Sequence, residues 1–337
     1  MSVQAPDPSF SIIAPAYNNP REVQKLLDSI RPEYERDRSL ETIIVDDCSR
    51  EGSLRDVVAE SGFARYIRLE ENSGPAAARN AGAKAAGNEI LLFVDSDVVF
   101  NPDTLSRIRE KFKDPAVEIF GGEYDVEPAN PTLATRFKSV MVRSWIPPGN
   151  TVTVFLTRLG AIKKSLFESA GGFDVGLRTA SVEDYELGRR LMAEGHTIHY
   201  DPAVMVKHHF PTFRNQIKLF FHRSFMWMYI FKKHGKFDNT CTTPLLGISQ
   251  LCAFFAVLLL PGSFFQIDFL YGSLGMLILF LATNARFFVL TTRYGGPLFT
   301  CAAIPMAVVI ACSIVAGGAW GAVYFTFFDL AKKGRGQ

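Results

Sequence analysis

The stretch Ile90-Leu91-Leu92-Phe93-Val94-Asp95-Ser96-Asp97 decides the fold that this sequence predicts. Its five apolar residues are too few for a helix and indicate a buried β-strand. Two carboxylates follow at the carboxyl end of that strand, which is where open α/β sheets bind ligands. Carboxylates in this position suit Mg²⁺ or Mn²⁺, which complete their coordination with water and phosphate oxygens. The alternative is that the pair only caps a helix starting near Pro102.

Short apolar runs upstream alternate with helical patterns. Helical spacing of apolar residues follows the first run, and a small-residue helix over 76–86 precedes the fourth. The alternation predicts a largely parallel sheet covered on both faces. The predicted strands lie at residues 10–14, 42–45, 66–69, 90–94 and 152–159.

The C-terminal third is almost free of charge. Between Asp238 and Asp329 the only charged residues are Asp268, Arg286 and Arg293. Three apolar stretches fill the interval, and each reaches the length of about 20 residues that crosses a hydrocarbon core. We therefore predict a catalytic domain over 1–210, amphipathic interfacial helices over 211–238 and a transmembrane region over 239–330. The three stretches are 245–265, 269–290 and 298–328.

Composition and the N-terminus bear on the cellular setting. The apolar C-terminal stretches indicate a multi-pass membrane protein. Residues 1–9 have neither the basic start nor the apolar core of a secretion signal, so we expect the catalytic domain to be cytoplasmic. A net charge of +2 gives no reason to expect a nucleic-acid partner. The cysteines show no spacing typical of a metal site or a disulfide framework.

The course of the last apolar stretch stays open. A simple third span places the basic tail, Lys332, Lys333 and Arg335, on the outer side, against the positive-inside rule. A re-entrant bend at Pro305 and Gly317-Gly318 would keep that tail inside.

Five short motifs occur in an order that resembles the family 2 glycosyltransferases, which are inverting enzymes with a GT-A fold. The resemblance covers residues 10–210 and implies an α/β GT-A domain, which would be followed here by an all-α membrane region. The motifs are Ala14-Pro15-Ala16-Tyr17-Asn18, Val45-Asp46-Asp47-Cys48-Ser49, Gly74-Pro75-Ala76-Ala77-Ala78-Arg79-Asn80, Asp95-Ser96-Asp97, and Gly171-Gly172-Phe173-Asp174 with Glu183-Asp184.

The resemblance implies a nucleotide-sugar site. Pro15 and Tyr17 would line the base pocket, and Asp47 would accept a base N–H. Gly74 opens the helix that carries Arg79, which would either serve the diphosphate or pair with a carboxylate such as Asp46. Asp95 would touch the ribose or the water shell of the metal. Asp97 is the expected direct ligand of Mn²⁺ or Mg²⁺, with His208, or else His209, as a further ligand.

Asp184 is the expected catalytic base. Inverting transfer needs a group that removes the acceptor hydroxyl proton, and the resemblance gives this role to the Asp of Glu183-Asp184. Ser181 reads as an N-cap, which places Asp184 in the first helical turn, where the positive helix end favours the ionised form. The alternative is that Asp184 only completes a capping box. Glu183 is expected to orient the acceptor or its loop.

The region after the Glu-Asp helix bears on the acceptor. Polysaccharide synthases of the family carry Gln-x-x-Arg-Trp there, whereas Gln216 is followed by Arg223 and Trp227 out of register. We therefore expect transfer of a single sugar to a lipid-linked or membrane-associated acceptor. Basic residues near 207–233 would hold an anionic headgroup or simply satisfy the positive-inside rule.

The same motifs suggest the class of donor and argue against other functions. A UDP-sugar is the default donor, and a GDP-sugar remains open. A nucleotidyltransferase would need a glycine-rich basic loop in place of Tyr17-Asn18-Asn19-Pro20, and a dehydrogenase would need Gly-x-Gly-x-x-Gly after the first strand. The remaining alternative is a non-catalytic membrane scaffold or flippase-associated subunit, which the intact carboxylates disfavour.

Overall fold

The computed structural model describes residues 8–50, 52–145, 149–176, 183–234 and 244–333. The chain forms two compact units. The first consists of residues 1–130 and 148–209, and the second of 131–147 and 210–337. Segment 131–147 therefore groups with the C-terminal residues, although the sequence placed it in the catalytic domain.

The first unit is built on one sheet with the order β3-β2-β1-β4-β8-β6-β9-β5, and β7 pairs with β9. The first four strands are mutually parallel, whereas β8 runs antiparallel to its neighbours β4 and β6. The described strands are β1 (Phe10–Ala16), β2 (Glu41–Asp46), β3 (Arg65–Arg68), β4 (Ile90–Val94), β5 (Val98–Phe100), β6 (Ile119–Tyr124), β7 (Thr151–Val152), β8 (Leu159–Lys163) and β9 (Ile198–His208).

Helices cover both faces of this sheet, as the continuous apolar strands require. Alternate residues of a strand point to opposite faces, so Leu92 joins one buried cluster of side chains while Phe93 joins the other. The helices of this unit are α1 (Pro20–Arg36), α2 (Ser53–Ser61), α3 (Pro75–Ala85), α4 (Thr104–Phe112), α6 (Lys164–Ser169) and α7 (Glu183–Ala193); α5 (Leu133–Trp145) belongs to the second unit.

The strand predicted over 152–159 is wrong for most of its length, because β7 ends at Val152 and β8 begins at Leu159. The intervening backbone contacts helix α7 instead of a neighbouring strand. The Phe155 N–H donates to the carbonyl of Asp184 at 3.2 Å. A Cβ on Gly188 would lie only 2.7 Å from the Phe155 nitrogen, so the missing side chain permits this approach.

The second unit is helical: α5, α8 (Phe213–His234), α9 (Pro244–Leu259), a 3₁₀ turn (Leu260–Phe264), α10 (Ile267–Thr283) and α11 (Ala285–Lys333). The stretch predicted over 269–290 is divided, because α10 ends before Asn284, whose side chain donates to Ser249 and to the Phe280 carbonyl. Among the residues that the structure describes, two segments, Leu245–Phe264 and Ala285–Phe327, are long and apolar enough to cross a membrane.

Helix α11 changes direction at a different place from the predicted bend. The one non-helical residue inside it is Gly296, with φ of 77°, a backbone conformation that glycine adopts at little cost. The chain is helical from there through Pro305 and Gly317-Gly318 to Lys333. The re-entrant hairpin considered for this stretch is therefore absent from the described residues.

Helix α8 packs lengthwise along α11. Ser313 donates to the carbonyl of Ile217 at 2.7 Å, and a Cβ on Gly321 would lie 2.6 Å from the carbonyl oxygen of Phe225. Contacts advance in the same direction along both helices, so the two run parallel, and small residues on α11 permit the close approach. The interfacial position expected for residues 211–238 stays a prediction, since this packing does not place α8 relative to a membrane.

Candidate active site

The Asp95-Ser96-Asp97 turn leaves β4 at the carboxyl edge of the sheet, as predicted. Both oxygens of Asp95 accept hydrogen bonds, Oδ1 from Arg79 Nη2 at 3.0 Å and Oδ2 from the Tyr124 hydroxyl at 2.6 Å. Asn19, in the loop after β1, donates to the Ser96 hydroxyl at 2.7 Å. The turn is therefore fixed by side chains from three different elements rather than serving only as a helix cap.

Asp95, Asp97 and His208 form a cluster that fits a divalent cation. One potential ligand atom from each lies within 4.8 Å of the others, and His208 Nε2 is 3.1 Å from Asp97 Oδ1. The β5–β9 pairing places Val98 opposite His208 and so brings this imidazole to the turn. The side chain of His209 is not part of the cluster. Two carboxylates and one imidazole make a donor set that Mn²⁺ tolerates better than Mg²⁺ does.

Arg79 links the carboxylate turn to the Glu183-Asp184 helix. Its Nη1 donates to Glu183 Oε1 at 2.8 Å while Nη2 contacts Asp95, and the side chain is buried. The pairing with Asp46 considered from the sequence is wrong, since Asp46 accepts from Ser49, Tyr66 and Arg68. Glu183 therefore has a structural role as the counterion of a buried guanidinium.

Asp184 lies beside this ion pair in the first turn of α7. Burial, and then the charge of Glu183, raise the pKa of Asp184 to about 6, although Arg79 and Arg158 oppose the shift. The sequence predicted that the positive helix end would favour the ionised carboxylate. Desolvation outweighs that effect, because the hydration free energy that a carboxylate loses on burial exceeds the stabilisation that one helix N-terminus provides. Ser181, the predicted N-cap, lies outside the described residues.

Three side chains of the site were missed from the sequence: Glu123, Tyr124 and Arg158. Arg158 Nη1 lies 3.2 Å from Glu123 Oε1, and its guanidinium stands 5.3 Å from the centre of the Tyr124 ring. The Tyr124 ring also packs on His208, with ring centres 4.4 Å apart. In the sequence, Arg158 is a lone Arg inside an apolar run, and Glu123 and Tyr124 are the last two residues of β6. None of the three belongs to a recognisable motif, so the sequence did not indicate a role for them.

The residues expected to hold the nucleotide lie in the neighbouring loops. Both oxygens of Asp47 accept backbone N–H groups, from Ser73 at 2.7 Å and from Gly74 at 2.9 Å. Gly74 has φ of 86°, which favours glycine, and it directly precedes α3. Tyr17 is 43% exposed and Pro15 is partly buried. Asp47 thus orders the loop that precedes α3, and each of its oxygens keeps a further lone pair.

The Gly171-Gly172-Phe173 turn is attached to α3 through Asn80. The Asn80 side chain donates to the Phe173 carbonyl at 2.8 Å and accepts the Phe173 N–H at 2.9 Å. Gly172 has φ of 69°, and a Cβ there would lie 2.8 Å from Asn80 Oδ1. The motif therefore serves to place the Phe173 ring against Phe93 and beneath Arg79.

Replacing Tyr124 by Phe tests the orientation of Asp95. The change removes one hydroxyl, so Asp95 loses a hydrogen bond while the ring still packs on His208. Groups that orient metal ligands typically contribute a factor of about 10–100 to metal affinity or activity. We expect the apparent Mn²⁺ affinity to fall about tenfold, measured as metal-dependent donor binding. Tyr34→Phe is the control, because Tyr34 lies near the C-terminal end of α1 and its ring stacks on Phe63 rather than on the cluster. Equal behaviour of the two variants would contradict the assignment.

Comparison with known proteins agrees with this geometry. Residues 11–172 match the family model described as Glycosyl transferase family 2. An uncharacterized glycosyltransferase of Haemophilus influenzae is 32% identical over 197 residues, which are 55% of this chain and 62% of that protein. The pre-mycofactocin glycosyltransferase of Mycobacterium tuberculosis is 27% identical over 210 residues, 59% of this chain and 42% of that protein. The chain thus spans about half the length of these relatives.

A solved structure supports the fold. The mannosyltransferase PcManGT from Pyrobaculum calidifontis, in complex with GDP-Man and Mn²⁺, superposes with a TM-score of 0.55 at 18% identity, covering 95% of this chain and 88% of that one. The strand order, the carboxylate turn after β4 and the family match over residues 11–172 lead to one conclusion. Residues 11–172 match the family 2 glycosyltransferases, and they lie in a domain with a GT-A fold.

Proposed function

We propose that this protein is a membrane-anchored, metal-dependent, inverting glycosyltransferase. It would transfer a single sugar from a nucleotide-diphosphate sugar to a lipid-linked or membrane-associated acceptor. The observation that carries the proposal is the joining of two groups through Arg79. One is the Asp95, Asp97 and His208 cluster, in which Arg79 contacts Asp95. The other is the first turn of α7, where Arg79 pairs with Glu183 and the neighbouring Asp184 has a pKa of about 6, which suits a base at neutral pH.

The metal cluster serves the leaving group. A divalent cation held by Asp97 and His208, with Asp95 beside them, would neutralise the diphosphate charge that grows as the glycosidic bond breaks. Tyr124 and Arg79 keep Asp95 in a fixed orientation by donating to its two oxygens. The donor set favours Mn²⁺, while Mg²⁺ remains open, and the Pyrobaculum structure contains Mn²⁺.

Asp184 serves the acceptor. Its carboxylate accepts the hydroxyl proton as the acceptor oxygen bonds to the anomeric carbon, while the bond from that carbon to the phosphate oxygen breaks. Attack from the face opposite the nucleotide inverts the anomeric configuration. Arg158 and Arg79 counter the effect of burial on Asp184, so that the carboxylate is ionised above about pH 6. Glu183 holds Arg79 and takes no proton in this scheme.

The donor is the less determined partner. Asp47 can accept an N–H from uracil or from guanine, and Pro15 and Tyr17 suit either base. We propose a UDP-sugar as the first candidate and retain a GDP-sugar, the class present in the Pyrobaculum complex.

Membrane anchoring rests on the second unit. Large apolar side chains are exposed along its helices, including Phe264 at 90% and Leu298 at 85%. Exposed apolar area of this extent is unusual in a water-soluble monomer, and lipid would cover it. We propose a multi-pass arrangement in the cell membrane with the catalytic unit in the cytoplasm.

A donor panel tests the function. The full-length protein in detergent is given UDP- and GDP-sugars, with Mn²⁺ or Mg²⁺ and a crude lipid extract, and both nucleotide release and labelled lipid are measured. We expect one donor to be consumed only when metal and lipid are both present, with an inverted anomeric carbon in the product by NMR. Absence of donor binding under all conditions would favour a non-catalytic membrane scaffold.

A further inference from the structure

Lys138 is a buried cation whose location the transferase chemistry does not explain. It lies on α5, in the second unit, and is 4% exposed. No described residue accepts a hydrogen bond from its Nζ. Two aromatic rings face it, with Nζ 4.0 Å from the centre of the Phe220 ring and 4.7 Å from that of Trp145.

Aromatic faces stabilise an ammonium only in part. An ammonium has three N–H donors, and an apolar environment without acceptors makes its charge costly. Burial accordingly holds the pKa of Lys138 well below its usual range, and the charge of Arg223 lowers it further. The residue is thus poised to gain an anionic partner rather than being satisfied by the protein.

The two helices around Lys138 supply no such partner. Neither α5 nor α8 contains an Asp or a Glu. Their basic residues are Arg136, Lys138 and Arg143 on α5, and Arg214, Lys218, Arg223, Lys232 and Lys233 on α8. The positive-inside rule accounts for exposed basic side chains beside a membrane, but it gives no reason to bury one.

Packing between the helices brings these charges together. Gln216, one turn before Phe220 on α8, donates to the Ala134 carbonyl at 3.0 Å, one turn before Lys138 on α5. Phe220 then covers Lys138, and Arg223 follows at the next turn of α8 with its side chain exposed. The charge of a reachable guanidinium therefore acts on a buried ammonium, an arrangement that suits an anion with several acceptor oxygens.

We propose that α5 and α8 form a binding site for the phosphate of a lipid headgroup, in which Lys138 and Arg223 are the principal donors. The phosphate chemistry follows from the two cations and the missing carboxylates. The lipid source rests on the proposed membrane anchoring, since the same unit carries the apolar segments. The site is distinct from the donor site, so its test does not depend on turnover.

The test uses Trp145 as its reporter. Trp227 and Trp320 are replaced by Phe in the full-length protein, and the fluorescence of Trp145 is followed as detergent micelles are doped with phosphatidate or phosphatidylcholine. A parallel titration uses inorganic phosphate. We expect saturable binding of phosphatidate, and we expect Lys138→Met to weaken it at least about tenfold, the effect of losing one charge-assisted contact. Arg136→Met, an exposed change on the same helix, should alter affinity less than about twofold.

The outcomes separate the alternatives. Equal phosphatidate affinity in wild type and Lys138→Met, or an equal loss in Arg136→Met, would overturn the site. Saturation by inorganic phosphate as tight as by phosphatidate would overturn the lipid source. If Lys138→Met does not fold, Arg223→Met is the variant that tests the site, because that exposed side chain can be replaced without disturbing the core. It should lower phosphatidate affinity, and an unchanged affinity would refute the proposal.

Discussion

Asp184→Asn should lower turnover by a factor of about 10³ while leaving donor binding unchanged. A positioned general base contributes roughly 10²–10⁴ to the rate, and an amide cannot accept the acceptor proton. The carboxylate lies beside the pair formed by Glu183 and Arg79, and it is not among the side chains proposed to hold the donor. Single-turnover kinetics with saturating donor would measure the first effect, and equilibrium binding of the donor would measure the second.

The same substitution should stabilise the folded protein at neutral pH. Folding raises the pKa of Asp184 from 3.8 to about 6, so the ionised side chain opposes folding above that pH. The penalty is full above about pH 6, shrinks as the pH falls, and is absent below about 3.8. Because the side chain is only partly buried, we expect Asp184→Asn to gain on the order of 1–2 kcal/mol at pH 7.

Asp56→Asn is the matched control for both effects. Asp56 also lies in the first turn of a helix, α2, but its side chain is exposed. Neutralising it should leave turnover intact and cost a few tenths of a kcal/mol, because a helix N-terminus favours negative charge. A loss of stability in Asp184→Asn as large as in the control, or retained turnover, would contradict the role of Asp184.

Asp97→Asn should abolish metal-dependent donor binding. The change preserves the shape of the side chain but removes the charged ligand that faces His208, so metal affinity should fall about 100-fold or more, beyond the effect of an orienting group. Calorimetric titration of Mn²⁺ with the nucleotide sugar would measure this. Without metal, the folding midpoint should not decrease, since Asp97→Asn removes one of two neighbouring negative charges.

Asp103→Asn is the control for this experiment. Asp103 lies six residues after Asp97 in the chain, is exposed, and pairs with Arg107 rather than with the cluster. It should bind donor and metal as the wild type does. If Asp97→Asn binds donor at wild-type affinity in the presence of Mn²⁺, the assignment of a metal site to Asp97 is contradicted.

Much of the site was accessible from the sequence, because its key residues directly follow strands. The ends of β1, β2 and β4 meet at one sheet edge, so the runs containing Tyr17, Asp47 and Asp95 could be placed together without coordinates. His208 was recognisable for the same reason, as the end of β9. The strand order and the period of the apolar pattern predict these positions, whereas the roles expected of Tyr17, Asp47 and His208 came from the resemblance to the family 2 glycosyltransferases.

Long-range partners were not accessible. Arg79 and Glu183 are 104 positions apart, and nothing in either motif favours Glu183 over Asp46 as the counterion. The Tyr124–Asp95 bond depends on β6, which joins the sheet out of sequence order. The balance of helix-end charge against desolvation at Asp184 depends on burial, which a motif does not reveal. Packing of α8 on α11 likewise depends on where Gly317 and Gly321 fall in a distant segment.

The most direct test of the central claim measures donor binding and turnover side by side for wild type, Asp97→Asn and Asp184→Asn, with Mn²⁺ and after chelation. We expect that wild type binds donor and turns over only with metal, that Asp97→Asn does neither, and that Asp184→Asn binds donor but does not turn over. Identical behaviour of all three proteins, or turnover that survives chelation, would contradict that claim.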